Sequence, residues 1–141
     1  MLPEEILSTW RHRKQQIFPD ETVVLLLATW MDADILSGKD VICFIDNEAA
    51  AAATIRGDST QSDVQELVQA AHLLWMRLST RVWIEWIDSD SNPADGLSRE
   101  GVADPWSSRQ GWTLREVVPP PWLSVPGRPD VLATELLRHW V

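Results

Sequence analysis

Two short apolar runs set the terms on which this chain can fold: VICFI at residues 41–45 and RVWIEWI at residues 81–87. Both are rich in β-branched and aromatic side chains and bounded by polar residues, the pattern of a strand. VICFI is apolar without interruption, which predicts a strand buried on both faces, the habit of parallel sheets. The residues between the two runs read as helix. Strands joined through helices pair in parallel by a crossover, so the expectation is an α/β fold.

The helical segments carry their own start and stop signals. Pro19-Asp20-Glu21 opens a helix, with proline in the first turn and two acids at the positive end of the dipole. The stretch that follows, TVVLLLATWMDADILSG, is apolar nearly all round and predicts a buried helix closing at Ser37-Gly38. Residues 48–56 are alanine-rich, with Gly57 as the stop. After the polar turn DSTQS, Val64, Leu67, Val68, Ala71, Leu74, Trp75 and Leu78 recur every three or four residues, marking an amphipathic helix. Residues 1–18 read as a connector and 19–100 as the α/β domain. From Gly101 the chain becomes a Pro/Trp-rich tail, 101–141, aperiodic until VLATELLRHW at 131–140, a candidate terminal helix.

Composition removes several function classes. The longest apolar stretch, VVLLLATWM at 23–31, is far shorter than the roughly 20 residues of a membrane helix, and it is internal, so it is no signal peptide. The single cysteine, Cys43, allows no internal disulfide and suits a reducing compartment, so an intracellular protein, cytoplasmic or nuclear, is expected. Net charge is −9, against free-standing nucleic-acid binding, which draws on Lys and Arg; the one basic cluster, RHRK at 11–14, reads as a solvated face. No Ser-His-Asp or Cys-His pairing stands out: His12, His72 and His139 lie in unrelated contexts, and His72, on a helix, reads as structural. Several of the nine tryptophans fall at core-like spacings, so packing is the default reading, although tryptophan also stacks on bases.

Three carboxylates occupy telling places. Asp46 ends the first strand, Asp95 follows the second at a helix start, and Glu21 begins the helix that leads into the first strand. Parallel sheets gather functional groups at strand C-termini and helix N-termini, so the three can converge at one sheet edge. Clustered carboxylates repel unless a cation neutralises them, which points to Mg²⁺ or Mn²⁺. Two such ions about 4 Å apart can serve phosphodiester hydrolysis. The plainer alternative stays open: Asp46 ends a strand, Glu21 tunes a dipole and Asp95 caps a turn.

QQIFPDETVVLLLA, VICFIDNEAAAAATIRG, the long amphipathic helix and WIEWIDSDSNPADGLSRE, in that order, resemble the ribonuclease H domain of retroelement (retrotransposon) reverse transcriptases. The resemblance covers about residues 12–100 and is most specific at NPADGLSR, a run on which such domains commonly close. It implies a partial ribonuclease H-like fold, a mixed sheet with crossover helices. It also implies metal-dependent hydrolysis of the RNA strand of RNA–DNA hybrids by carboxylates holding two divalent ions. Glu21 would be the helix glutamate, with Asp20 a weaker candidate, Asp46 the acid after the strand and Asp95 the acid of the last helix.

The chain departs from that family at its start. Some 20 residues precede Glu21, and none reads as the family's N-terminal antiparallel strands, so those strands and the first metal-binding aspartate are missing. The family's mobile histidine is not evident before Asn92 either. The resemblance therefore implies an N-terminally truncated domain with impaired activity as an isolated chain, a partner in the rest of a retroelement polyprotein, or an open strand edge that drives self-association. A non-catalytic α/β remnant or interaction module is the competing expectation. A nucleic-acid binder built on RHRK and tryptophans is a third, disfavoured by charge.

Overall fold

The computed structural model describes residues 17–118, so the RHRK cluster, His12, His139 and the candidate helix at 131–140 lie outside the described residues, as does nearly all of the 1–18 connector. Among the described residues the chain is mixed α/β, with six α-helices and one parallel two-stranded sheet. Helix α1 (Ile17–Met31) and the single turn α2 (Ala33–Leu36) lead into β1 (Asp40–Ile45). Then come α3 (Glu48–Arg56), α4 (Ser62–Leu78) and β2 (Arg81–Trp86). A 3-10 turn (Ser89–Ser91), α5 (Asp95–Glu100), a second 3-10 turn (Gly101–Ala103) and α6 (Pro105–Ser108) complete the order.

The crossover expected from the spacing of the two runs is present. β1 and β2 pair in parallel with Asp40 opposite Arg81, Ile42 opposite Trp83 and Phe44 opposite Glu85. Asn47, directly after Asp46, starts α3 by accepting the Ala50 N–H at 2.9 Å. Gly57 ends it at φ 69°, the left-handed region that glycine enters without a Cβ penalty. Asn47→Ala removes that cap and is expected to cost about 1 kcal/mol of stability, while Asn47→Asp retains most of it; urea unfolding of both variants measures the difference.

The core is a helix layer over one side of the sheet. Val23, Leu26 and Leu27 of α1 pack with Leu67, Ala71, Leu74, Trp75 and Leu78 of α4, and Val82 and Ile84 of β2 close the cluster. Trp75 Nε1 donates to Thr29 Oγ1 at 3.1 Å, and that hydroxyl donates to the Leu25 carbonyl at 2.9 Å, which ties α4 to α1 without leaving a buried polar atom unpaired. His72 is structural, as expected: Nε2 bonds the Thr54 carbonyl at 2.7 Å and joins α4 to α3.

Two expectations are corrected here. VICFI is buried on one face only. Val41, Cys43 and Ile45 turn towards the helices, while Ile42, Phe44 and, across the pair, Trp83 are 64%, 57% and 66% exposed. An apolar run satisfies the pattern of a doubly covered strand whether or not a second layer exists to cover it. The long apolar helix is not buried all round either: Val24 and Ala28 face solvent, and the helix breaks at Asp32 before the short α2. Just beyond Gly101 the described chain packs back on α5. Asp104 caps α6 by accepting the Ser107 N–H at 2.6 Å, and a Cβ on Gly96 would lie 2.5 Å from its Oδ1. Glycine at 96 is what lets α5 approach that carboxylate.

Candidate functional site

At the C-terminal end of β1, three segments meet that lie far apart in the sequence. Asp46 leaves the strand at the point where Ile87 N–H still bonds the Ile45 carbonyl at 3.1 Å, so its position is set by the last rung of the ladder. Asn92 reaches it from beyond β2: Nδ2 donates to Asp46 Oδ2 at 2.9 Å. The same Asn92 turns the chain into α5, its Oδ1 accepting the Ala94 N–H at 3.0 Å and its carbonyl accepting the Asp95 N–H at 3.0 Å. The Asn-Pro turn thus presents Asp95 at a helix start, and it also fastens that turn to the end of β1.

Glu21 comes to this corner from α1. Burial pushes its carboxyl above the ordinary glutamate range, and the charges of Asp46 and Asp20 push it the same way. Asp20, one residue earlier, is also pushed up by burial, and its Oδ1 is enclosed without a hydrogen-bond partner. The charges of Asp20 and Asp46 both act on Glu21, and Asp20 Oδ1 is the enclosed oxygen of the group without a donor. Glu21 and Asp46 are the pair from separate elements that could share a hard cation with oxygen ligands.

Asp95 stands apart from that group. Its Oδ1 lies 3.1 Å from Arg99 Nε, an ion pair across one turn of α5, and its side chain is only partly exposed. Among the described residues, no three His, Cys, Asp or Glu side chains come together closely enough to hold a metal ion. Of the three sequence-derived site residues, Asp46 acts on Glu21 by its charge, while Asp95 lies against a guanidinium. Asn92 is the site residue that reading the sequence missed. Its place in an Asn-Pro turn marked it as a turn former, and only the fold discloses the bond to an acid 46 positions away.

Cys43 takes no part in this corner. It faces the helix layer next to Ile45 and Ala50, and burial pushes its thiol up, away from the reactive thiolate form. No described helix is long and apolar enough to cross a membrane. The chain matches no protein-family model, no curated protein and no solved structure.

Proposed function

We propose that this chain carries part of the metal-binding corner of a ribonuclease H-like phosphodiester hydrolase of retroelement type, with the RNA strand of an RNA–DNA hybrid as substrate. The observation that carries the reading is the Asn92–Asp46 bond at 2.9 Å. It joins the NPADGLSR run to the acid after VICFI, while the charge of Asp46 acts on Glu21. Three of the segments on which the resemblance rests thus act on one another through Asn92, Asp46 and Glu21.

A divalent ion bound there would supply charge neutralisation and a polarised water for attack on phosphate. Glu21 and Asp46 would hold it, with Asn92 keeping the Asp46 carboxylate oriented towards it. Two close acids are fewer than a hydrolytic pair of ions requires, so the isolated chain is expected to bind Mn²⁺ weakly and to turn over hybrid slowly or not at all. The second reading, a non-catalytic α/β module, draws on the Asp95–Arg99 ion pair, which leaves the third acid neutralised.

Titration of Mn²⁺ by electron paramagnetic resonance, run beside cleavage of a labelled RNA–DNA hybrid, separates the two. Binding that falls about tenfold or more in Asp46→Asn and in Glu21→Gln supports the metal corner, with or without turnover. Binding that both variants leave unchanged would sink the nuclease reading and favour the module.

A further inference from the structure

Among the described residues the sheet has two strands, and β2 presents an outer edge that no described strand covers. In a parallel ladder, alternate residues turn their N–H and C=O to one neighbour and to the other. Arg81 N–H bonds the Lys39 carbonyl at 3.0 Å and Ile87 N–H the Ile45 carbonyl at 3.1 Å, so the odd-numbered residues of β2 face β1. Val82 and Ile84 therefore turn their backbone groups outward, where no described residue bonds them. Beside this edge runs a cleft of about 510 Å³, lined by Ile55, His72, Met76, Val82, Trp83 and Ile84 among others. The strand holds no proline, one common means of keeping an edge unpaired.

The side chains along that edge say what fits it. On the open sheet face β2 reads Arg81, Trp83, Glu85; on the helix side it reads Val82, Ile84. Laid antiparallel against itself about Trp83, this segment sets Arg81 opposite Glu85, Trp83 opposite Trp83, and Val82 opposite Ile84. Opposite charges and aromatic pairs directly across an antiparallel ladder stabilise it. The backbone agrees with the side chains, because Val82 and Ile84 both turn their hydrogen-bonding groups outward and so meet as a hydrogen-bonded pair, with Trp83 at the closer, non-bonded position. Sliding the strands by two residues sets Trp83 against Glu85 or Arg81 and removes both ion pairs. The outer edge of β1 has no such symmetry: about Ile42 it sets Asp40 opposite Phe44.

We propose that the chain forms a two-fold dimer by antiparallel pairing of β2 with β2 of a second copy, giving one continuous sheet. Each Arg81 bridges Asp40 of its own β1, to which it already bonds at 2.6 and 2.8 Å, and the partner's Glu85. Glu85 leaves its present contact with Trp83 Nε1 at 3.1 Å to make that bridge. The partner's Val82 and Ile84 extend the apolar layer over the cleft beside Ile55 and Met76, which are themselves exposed in one copy. The dimer stands on β2 alone and is independent of the metal corner.

Sedimentation equilibrium of the full chain tests this, with circular dichroism to confirm folding. The wild-type chain is expected to dimerise reversibly in the micromolar range. Glu85→Lys, an exposed substitution that sets like charges opposite each other at both ends of the interface, is expected to weaken dimerisation about tenfold or more. Arg81→Glu is expected to do the same, and an equimolar mixture of the two variants to recover association as a heterodimer. A wild-type chain that stays monomeric, or a Glu85→Lys chain that dimerises unchanged, would overturn the proposal.

Discussion

Leu26→Ala is expected to cost about 3 kcal/mol of stability, and Val24→Ala within about 0.5 kcal/mol of nothing, although both residues lie in the same run of aliphatic side chains. Leu26 is fully buried where α1 lies along α4, with Val23, Leu27, Leu67, Leu74 and Trp75 in the same cluster. Truncation removes its transfer free energy and leaves a cavity between two helices that the Trp75–Thr29 bond holds at fixed separation, so the site collapses poorly. Val24 is exposed on the opposite side of the helix, where alanine loses little contact and gains helix propensity. Thermal unfolding reads the contrast as a drop of roughly 10 °C in Tm against almost none. Equal losses at the two positions would mean that α1 does not pack on α4 by the face described.

Glu21→Gln is expected to stabilise the metal-free chain at neutral pH and to abolish most of its stabilisation by Mn²⁺. Burial, then Asp46, then Asp20 raise the Glu21 carboxyl above its ordinary range. A raised folded value means the folded chain holds this proton more tightly than the unfolded chain does. The resulting stability is fully present below the ordinary glutamate value and is lost as pH rises through the raised one. The advantage of the glutamine variant over wild type should therefore be small at acid pH, grow as pH climbs through that window and level off above it. Asp20, pushed up by burial, titrates in the same direction and contributes to the same slope in both proteins. Mn²⁺ should reverse the order, because a ligand that binds the folded state stabilises it by an amount that grows with the logarithm of its concentration relative to Kd, and the variant lacks a charged ligand. Melting curves across pH, in chelator and in Mn²⁺, decide it. If wild type is the more stable protein at neutral pH in chelator, the carboxylates at the end of β1 are not in surplus.

Much of this architecture was written in local pattern. The spacing from Val64 to Leu78 specified α4 and its buried face, and the structure buries those positions almost one for one. Asn47 and Gly57 bound α3 through contacts that reach only a few residues along the chain. The helical residues between VICFI and RVWIEWI pointed to a crossover, and the two strands do pair in parallel. Signals of this kind are legible because cap, turn and helical period each act over a few residues, so neighbouring letters hold all the partners.

Other properties depended on residues distant in sequence. That Asn92 grips Asp46, and that Asp95 is taken up by Arg99 instead of joining Glu21, follows from where α5 lands after β2, which no run of letters encodes. The open face of Ile42, Phe44 and Trp83 shows the same limit, since hydrophobicity states what a side chain prefers and not whether a second layer arrives to cover it. The sequence by itself therefore determined the two strands, α3 and α4, all matters of local conformational free energy. Which faces are covered and which carboxylates meet were decided by tertiary structure alone, because burial and Coulombic repulsion depend on distances that exist only once the helices have packed on the sheet.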